Sequence, residues 1–561
     1  MMGRSSSLRR KKSAVQAQPD IEQTPVLIVG GGITGLSTAL FLARSGIRPL
    51  LVERHPSTAL QPQARAFNPR TMEIFRALGL EQEIRARASI LTELPEMIGA
   101  QTLAGPERFR VDILSQVRPP ATLSPTDWAM IDQDELERVV RAAAEKHGAA
   151  IRFGTEVQSV QPTGEGVSVR VRDLASGADH DIHAEYVVAA DGNRAGIRTG
   201  LGIGATGPGE LIHVANILFD ADLSATLRER RFLLAYFDQP TKGTALVPSR
   251  EFGRWSLGVP FGPESGTSAA DFTEEHCIEL TRRAIGDPNL ALTLVAPVAG
   301  SAQKITTTRI GGWVADEYHC GRVFFVGDAA HVVPPTGSFG ANTGIADAHN
   351  LAWKLAAVLK DQAGPALLDT YAAERRPVAL VTLDQAMQRL HGRHEGTGDD
   401  AATIDDLTMI FGYRYRSAAI HAESEIPDGP VADPRYPTGC PGLRAPHVRL
   451  GKAGATLPTL DLFDGDFTLL AATGGGAWLE AAETAAEAMA LDLRAHHIGT
   501  EFDDLDARFP AAYGLSATGA TLVRPDGFVA WRAPELPEHP EHALQQALTL
   551  LLTADSSVGR T

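Results

Sequence analysis

The sequence has few cysteines, no long apolar run and no excess of positive charge, and each absence narrows the function. Its 561 residues include three cysteines, Cys277, Cys320 and Cys440, which lie far apart. This spacing excludes a disulfide scaffold or a thiolate metal cluster and suits a reducing cytoplasm. No apolar run approaches the ~18 residues of a membrane span, so no membrane association is expected. A formal net charge of −16 would repel a phosphate backbone, so no nucleic-acid partner is expected.

What remains is an ordinary globular composition, with 43% hydrophobic and 21% charged residues. The length predicts several domains of roughly 150 residues each. Residues 1–23 are predicted to be a disordered tail, because their basic residues are followed by polar residues and not by the apolar stretch of a signal peptide.

The folded part opens with a βαβ unit that contains a glycine-rich turn. An apolar run, a helical segment and a second apolar run follow one another within about thirty residues. Gly30, Gly32 and Gly35 form a GxGxxG motif between the first strand and the helix. These glycines allow a tight turn, close approach of a pyrophosphate to the helix N-terminus, and helix–strand packing. Glu53, at the end of the second strand, is placed to accept hydrogen bonds from an adenosine ribose, so the unit predicts dinucleotide binding.

Two later apolar runs each end in an aspartate beside a glycine. Asp191-Gly192 follows one run, and Gly327-Asp328 follows the other. An aspartate after a strand commonly serves as a turn residue or a helix cap. However, the carboxyl ends of parallel strands form the ligand crevice of a doubly wound sheet. We therefore predict that Asp191 and Asp328 contact the cofactor.

With these three motifs in this order, the chain resembles the group A flavoprotein monooxygenases, the aromatic hydroxylases similar to para-hydroxybenzoate hydroxylase. The resemblance covers roughly residues 24–555. It implies non-covalent FAD, with NAD(P)H as a transient co-substrate near the first Asp-Gly segment, and dioxygen. Carried over by position, the resemblance implies the following FAD contacts: Gly30, Gly32, Ile33, Thr34, Gly35, Glu53, Arg54, Arg65, Gln133, the backbone at Val157, Asp191, Asp328, Pro335, Gly337, Ser338, Phe339, Gly340, Ala341 and Asn342.

Two positions depart from the family pattern. The family usually has a serine three residues after the first Asp-Gly, where this chain has Ala195. The loop after the double proline usually reads Gly-Gly, and here it reads Gly337-Ser338. The first departure bears on how nicotinamide binds, whereas a small side chain after a glycine still permits a backbone cradle.

The loop at 337–342 is predicted to lead into a helix N-terminus. Free N–H groups and the helix dipole there would stabilise the negative charge of a reduced flavin by up to ~2 kcal/mol. Pro335 would lie beside the isoalloxazine ring. A second interpretation, compatible with the first, is that Asn342 caps this helix. His331 is expected to be structural, the catalytic residue stays unknown, and no metal site is predicted.

A third module resembles the thioredoxin-like C-terminal domain of the longer phenol and polyketide hydroxylases. Its signature is the strand, turn and strand at 520–532. Thiol–disulfide exchange needs paired cysteines, and the nearest one, Cys440, precedes the module in a turn, so the module is expected to be redox-inert. Its late apolar helix is expected to pack either against the FAD domain or against a second subunit of a homodimer.

The predicted fold class is α/β: a doubly wound, Rossmann-like FAD-binding domain with an inserted mixed-sheet substrate domain and a C-terminal thioredoxin-like domain. The predicted boundaries are 24–92, 128–204 and 301–390 for the FAD-binding domain, 93–127 and 205–300 for the substrate domain, 391–435 for a helical connection, and 436–555 for the thioredoxin-like domain.

The function that the resemblance implies is hydroxylation of an aromatic substrate, phenolic or polycyclic and polyketide-like, through a flavin C4a-hydroperoxide. Epoxidation, Baeyer–Villiger insertion and oxidative decarboxylation use the same motifs and stay open as alternatives. A flavin-containing protein that binds a ligand without catalysis is the alternative from another class.

Overall fold

The computed structural model describes residues 21–58, 64–94, 96–249, 253–262, 266–297, 303–395, 403–421, 423 and 429–553. Most of the predicted disordered tail, residues 1–20, lies outside this set. The first strand already begins at Glu22, whose carboxylate pairs with Arg152.

The strands are, in chain order, β1 (Glu22–Val29), β2 (Leu50–Glu53), β3 (Ala66–Phe67), β4 (Glu96–Ala100), β5 (Glu107–Asp112), β6 (Ala129–Met130), β7 (Ala150–Phe153), β8 (Thr155–Pro162), β9 (Val167–Asp173), β10 (Asp179–Ala189), β11 (Ala205–Asp220), β12 (Leu234–Phe237), β13 (Thr244–Pro248), β14 (Arg254–Phe261), β15 (Thr293–Leu294), β16 (Ile305–Ala315), β17 (His319–Cys320), β18 (Val323–Phe325), β19 (His331–Val332), β20 (Arg449–Lys452), β21 (Ala455–Pro458), β22 (Phe467–Ala471), β23 (Leu493–His497), β24 (Asp503–Asp504), β25 (Ala520–Val523) and β26 (Val529–Ala533).

The α-helices are α1 (Ile33–Arg44), α2 (Pro69–Ala77), α3 (Glu81–Ala86), α4 (Ile113–Val117), α5 (Gln133–Lys146), α6 (Gly196–Gly200), α7 (Ser224–Leu227), α8 (Glu274–Ile285), α9 (Phe339–Leu359), α10 (Asp369–Glu395), α11 (Asp406–Phe411), α12 (Ala477–Met489), α13 (Phe509–Tyr513) and α14 (Pro540–Thr553).

The first sheet confirms the predicted doubly wound architecture. Its order is β17-β18-β10-β1-β2-β7, and β18, β10, β1, β2 and β7 run parallel. The carboxyl halves of the central strands, 26–29 of β1 and 186–189 of β10, are apolar and buried, as is typical of a parallel sheet that is covered on both faces. Helix α1 packs between α5 and α9. The carboxyl ends of β1, β2, β10 and β18 therefore meet at one edge of the sheet.

The second sheet is mixed, as predicted, with order β19-β16-β11-β14-β13-β12-β4-β5. Strands β12 and β4 are parallel, whereas β11, β13 and β14 form antiparallel pairs. One face of this sheet buries Phe219, Leu257 and Val259 in a core shared with Cys277 of α8. Strands β16 and β19 also lie in this sheet, although the predicted boundaries assign residues 301–390 to the FAD-binding domain. A long two-stranded ribbon, β11 with β16, thus joins the two sheets, and local periodicity does not reveal such long-range pairing.

The third module has the topology of a thioredoxin-like domain. Its sheet has the order β23-β22-β25-β26, with β22 and β23 parallel and β25 and β26 antiparallel to their neighbours. Helices α12 and α14 pack against each other beside this sheet. A strand, helix and parallel strand followed by a hairpin and a final helix is the arrangement that the sequence predicts.

The apolar face of the late helix α14 packs on the FAD-binding domain, which is one of its two predicted partners. Leu548 and Leu551 belong to one buried cluster with Trp353 and Ala357 of α9. The Trp353 ring meets the Phe467 ring edge-on, with centroids 5.8 Å apart. The module and the FAD-binding domain thus share a core. Among the described residues, no helix combines the length and the apolar character that crossing a membrane requires.

Candidate functional site

The three sequence motifs converge at the carboxyl edge of the first sheet. A Cβ built on Gly30 would lie 2.1 Å from the carbonyl oxygen of Ala190, so the glycine-rich turn touches the Asp191 turn. A Cβ built on Gly327 would lie 2.6 Å from Thr34 Oγ1, so the third turn also touches the start of α1. Residues from three distant stretches of sequence therefore line one site.

The glycines of the first motif are required for different physical reasons. Gly30 has φ +112°, which only glycine adopts without strain, and a Cβ on Gly35 would lie 2.0 Å from the carbonyl oxygen of Gly30. Gly32 is exposed, and a Cβ there would meet only Glu137 Oε1, at 4.0 Å. The protein itself thus does not require a glycine at 32. A ligand that approaches the backbone at Gly32 would require a glycine there.

The N-terminus of α1 has anion-binding character. Its N-cap is Gly32, and no side chain accepts a hydrogen bond from the first turn. The first turn also contains no acidic residue. Uncapped N–H groups and the positive end of the helix dipole at an open position are the features that bind a pyrophosphate. Ile33 is buried and Thr34 half-buried at the start of this helix.

Glu53 lies at the end of β2, as predicted, and is half-buried. Its carboxylate accepts hydrogen bonds from Gly31 N at 2.7 Å and His55 N at 2.8 Å. His55 Nδ1 also lies 2.5 Å from Oε1, so these contacts orient the carboxylate while Oε2 keeps a lone pair for a hydroxyl donor. The neighbouring Arg54 is exposed. The role of both residues toward an adenosine ribose stays a prediction.

Asp191 shows the simpler chemistry that an aspartate after a strand commonly has. Its Oδ2 accepts a hydrogen bond from Ile197 N at 2.9 Å and so caps α6. Burial is the main cause that raises the pKa of this carboxyl. Ala195, which departs from the family pattern, precedes α6 with φ +44° in the left-handed region. Among the described residues, Asp191 Oδ1 is buried without a hydrogen-bond partner, and the contact of Asp191 with the cofactor stays a prediction.

Asp328 differs, because the protein gives its carboxylate no hydrogen bond among the described residues. The side chain is accessible to solvent, yet the surrounding protein desolvates the carboxyl enough to raise its pKa, and His331 partly opposes this shift. Both properties hold together for a group that lines a deep cleft. A desolvated carboxylate without a partner fits a ligand that donates hydroxyl groups to it.

The loop after the double proline folds as an uncapped helix start. Gly337 has φ +81° and Ser338 has φ +55°, so two successive residues lie in the left-handed region before α9 begins at Phe339. The first side chain of α9 is buried, whereas Gly340 and Ala341 are half-buried. Thr336 Oγ1 donates to the carbonyl oxygen of Ala386 at 2.6 Å and fixes the loop to α10. Small residues and free N–H groups thus face the cleft beside Pro335.

Asn342 does not cap α9, so that interpretation is wrong. The N-cap is Ser338, with no side-chain hydrogen bond. Instead, Asn342 Oδ1 accepts from Asn68 N at 2.9 Å and from Thr71 Oγ1 at 2.7 Å. Its Nδ2 donates to the carbonyl oxygens of Ser338 and Ala66 at 2.7 and 3.2 Å. The Asn342 side chain therefore links α9 to the N-terminus of α2, where Asn68 is the N-cap.

The remaining predicted contacts lie around the same cleft. Arg65 Nη1 donates to the carbonyl oxygen of Pro248 at 2.7 Å, and its Nε lies 3.2 Å from Asp132 Oδ1. Burial lowers the pKa of Arg65. Gln133 Oε1 accepts from Ala64 N at 3.1 Å. Val157 is on β8 at a register shift in its pairing with β9, where its backbone leaves the regular ladder.

Comparison with known families agrees with this geometry. Residues 23–386 match the family described as FAD binding domain, and residues 438–554 match the family described as aromatic-ring hydroxylase, C-terminal. The chain belongs to the FAD-dependent aromatic-ring hydroxylases. It is therefore a flavoprotein monooxygenase, as the resemblance implies.

Curated relatives of this hydroxylase act on both single-ring and polycyclic compounds, according to their names. It is 43% identical to 4-methyl-5-nitrocatechol 5-monooxygenase of Burkholderia sp, over 96% of this chain and 99% of the relative. It is 37% identical to aklavinone 12-hydroxylase RdmE of Streptomyces purpurascens, over 94% of this chain and 99% of the relative. It is 39% identical to tetracenomycin A2 monooxygenase-dioxygenase of Streptomyces glaucescens, over 95% of this chain and 98% of the relative.

Solved structures resemble the hydroxylase along its whole length. A ternary complex of aklavinone-11 hydroxylase with FAD and aklavinone matches with a TM-score of 0.87 and 37% identity, over 96% of this chain and 100% of that one. The flavin-dependent monooxygenase PieE, in complex with FAD and substrate, matches with a TM-score of 0.83 and 30% identity, over 95% and 100%.

The cleft of the hydroxylase fits FAD in three respects: the space at Gly32 is open, the N-termini of α1 and α9 have no side-chain cap, and the Asp328 carboxylate has no hydrogen-bond partner among the described residues. FAD, when bound, supplies the redox chemistry that side chains lack. The chain contributes binding, orientation and fixed dipoles. The first turn of α9 adds the positive end of a helix dipole, which would stabilise negative charge on a group bound beside it.

One group of buried residues was not predicted from the sequence. Asp347, on α9, accepts hydrogen bonds from His331 Nε2 at 2.6 Å and Arg375 Nε at 2.7 Å. His331 is thus a buried structural residue, as expected, but its partner was missed. The available signal is a charged residue among the buried residues of α9, a helix that also buries Lys354.

Proposed function

We propose that this hydroxylase uses NAD(P)H and dioxygen to add a hydroxyl group to a phenolic, polycyclic aromatic substrate in the cytoplasm. The observation that carries the proposal is the convergence of three motifs on an open cleft with an unpaired carboxylate. The second sheet borders that cleft, where Arg65 bonds to Pro248 at the end of β13.

The second sheet offers a broad face for a flat ring system. Alternate residues of β12, β13 and β14 point away from the α8 core and are half-buried. Across one row of this face lie Asn216, Gly258, Ala245 and Tyr236, paired strand to strand. Small residues in the middle of the row leave space, whereas Tyr236 and Asn216 offer an aromatic and a polar contact at its ends. We infer that the substrate lies against this row.

A single-ring substrate is the second candidate, because the relative named for 4-methyl-5-nitrocatechol has 43% identity. The row of small residues favours the larger ring system, since a single ring would leave part of the face unfilled. NAD(P)H is proposed to visit transiently, because the sequence has no second nucleotide-binding βαβ pattern.

The test is a panel of polycyclic phenols and single-ring catechols, scored for stimulated NAD(P)H oxidation and for product mass under labelled dioxygen. We expect slow oxidation without a substrate, stimulation by polycyclic phenols, and one labelled oxygen atom in a hydroxylated product. A ring-opened, epoxidised or decarboxylated product would instead favour the other oxygenations. Absence of flavin reduction by either nicotinamide would favour a protein that only binds a ligand.

The row itself is testable with two variants. Gly258→Val would fill the middle of the face and should raise KM for a polycyclic substrate much more than for a catechol. Val259→Ile adds one methylene group on the opposite face, in the α8 core, and is the control for disturbed packing within this sheet. Equal effects of both variants on both substrates would contradict the proposed position.

A further inference from the structure

A buried carboxylate lies directly behind the turn that presents Asp328. Asp347 is fully buried on α9, and its Oδ2 accepts a hydrogen bond from Gly327 N at 3.1 Å. The same oxygen accepts from His331 Nε2, and Oδ1 accepts from Arg375 Nε. Three donors from two other segments therefore converge on one carboxylate. The backbone position of the Gly327–Asp328 turn depends on it.

The charge on Asp347 is maintained by its partners. Burial by itself would raise the pKa of this carboxyl, but Arg375 and His331 outweigh burial and lower it. A buried ion pair is commonly no more stabilising than packed apolar residues of similar volume. What this carboxylate provides is a common acceptor for the turn, His331 and Arg375, which is a role in geometry.

The contacts of Arg375 continue from this carboxylate to the third module. Its Nη1 donates to Tyr415 Oη at 3.0 Å, and its Nη2 donates to the carbonyl oxygen of Thr343 in α9 at 3.2 Å. The Tyr415 ring stacks on Phe528 with centroids 4.0 Å apart and planes 23° apart. Phe528 lies in the turn between β25 and β26. A contiguous path of buried contacts thus connects the thioredoxin-like domain to the turn at Asp328.

We propose that Asp347 is the positioning residue for the cofactor-binding turn, and that Arg375 and Tyr415 extend this role to the third module. In this interpretation the thioredoxin-like domain, which lacks a cysteine pair, acts on the flavin site through α10 and not through redox chemistry. The proposal rests on the assignment of Asp328 to FAD. It adds residues that never touch the cofactor but fix how tightly and in which orientation it is held.

The first test compares two tyrosines that each lose one buried hydroxyl. Tyr415→Phe keeps the stacking on Phe528 but removes the acceptor for Arg375. Tyr513→Phe removes an equally buried hydroxyl, which donates to the carbonyl oxygen of Pro446 at 2.7 Å inside the third module. FAD release from each diluted holoenzyme is followed by flavin fluorescence, and the bound flavin by visible circular dichroism.

We expect Tyr415→Phe to raise the Kd for FAD about threefold to tenfold and to change the flavin dichroism, as for one lost hydrogen bond of ordinary strength. Tyr513→Phe should leave the Kd and the flavin dichroism unchanged, while it should lower the melting temperature about as much as Tyr415→Phe does. Equal Kd values for the two variants, whether raised or unchanged, would overturn the connection to the third module.

The second test is Asp347→Asn, which keeps the shape but places an amide where three donors converge. We expect a Kd for FAD at least about tenfold higher, as for a charge-assisted hydrogen bond. Asp328→Ala separates the two levels of the argument. An unchanged Kd in Asp328→Ala would refute the site itself, whereas a raised Kd there with an unchanged Kd in Asp347→Asn would refute only the positioning role.

Discussion

Two aspartates beside glycines, Asp328 and Asp526, have opposite surroundings in this molecule. Asp526 is buried in the hairpin between β25 and β26, and it accepts hydrogen bonds from Arg524 and from Asn350 Nδ2, the latter at 2.9 Å. Burial would raise its pKa, but Arg524 more than compensates and lowers it. Asp328 is accessible, has no such partner, and has a raised pKa.

The comparison teaches that a turn motif does not by itself distinguish a structural carboxylate from a binding one. At Asp526 the charge is satisfied by residues of the same chain. Arg524 also bonds to Glu374 on α10, which further accepts from Lys354 on α9. At Asp328, none of the described residues donates a hydrogen bond to the carboxylate. If the first region is purely structural and the second purely for binding, substitutions at Asp526 should affect stability and substitutions at Asp328 should affect FAD binding.

The largest effect is expected for Asp526→Ala. Removing this carboxylate leaves the buried Arg524 guanidinium undercompensated, which typically costs 3–5 kcal/mol. We expect the urea denaturation midpoint of the holoenzyme to fall sharply. Asp506→Ala breaks an ion pair with Arg449 on the surface and should leave the midpoint near that of the parent protein. Equal midpoints for both variants would show that the interface charges are not structural.

Acid should destabilise the same interface. His447 is buried beside Arg444, and burial, reinforced by that guanidinium, lowers its pKa from 6.5 to about 4. The unfolded chain therefore takes up a proton below pH 6.5 that the folded chain refuses until about pH 4. The contribution of His447 to the free energy of unfolding is full above pH 6.5 and falls by up to about 3 kcal/mol as the pH drops to 4.

His349 has the same depressed pKa of about 4, mainly through burial, so two histidines share this acid sensitivity. We expect His447→Gln to remove about half of the decrease in unfolding free energy between pH 6.5 and 4, by additivity of separate sites. His542→Gln changes an exposed histidine on α14 and is the control. A pH profile of His447→Gln that overlays the parent profile would contradict this account.

A smaller loss of stability but a specific loss of cofactor is expected for Asp328→Ala. Each charge-assisted hydrogen bond from a ribityl hydroxyl is worth about 1.5–3 kcal/mol, so the Kd for FAD should rise roughly tenfold to hundredfold per bond. The melting temperature of the variant apoprotein should equal that of the parent apoprotein, because Asp328 has no hydrogen-bond partner among the described residues. Asp222→Ala, at another turn after a strand, should leave the Kd unchanged.

No effect is expected for Cys440→Ser. The thiol lies 3.5 Å from Arg532 Nη2, but the same guanidinium also pairs with Glu423 at 2.7 Å. FAD content and turnover should equal those of the parent protein, and the third module should show no dithiol reductase activity. A large loss of turnover with normal folding would reveal a redox role for the third module.

The sequence predicts best what depends on local pattern. The turn at Gly30–Gly35 and the hairpin at 520–532 both appear as expected, because neighbouring residues determine them. The long ribbon of β11 with β16 and the partners of Asp347 were not predicted, since both depend on contacts between distant segments. The role of Asn342 was misjudged for the same reason: three of its four partners, at 66, 68 and 71, belong to a distant stretch of sequence.

The shared core of the third module and α9 has a consequence for unfolding. The chain reads as three modules, but Trp353 and Ala357 belong to the same apolar cluster as Leu544 and Leu548. The second sheet, in contrast, has a core of its own around α8. Cooperative units follow cores and not sequence boundaries. The molecule should therefore unfold in two steps, with the substrate sheet melting as one unit and the other two modules melting together.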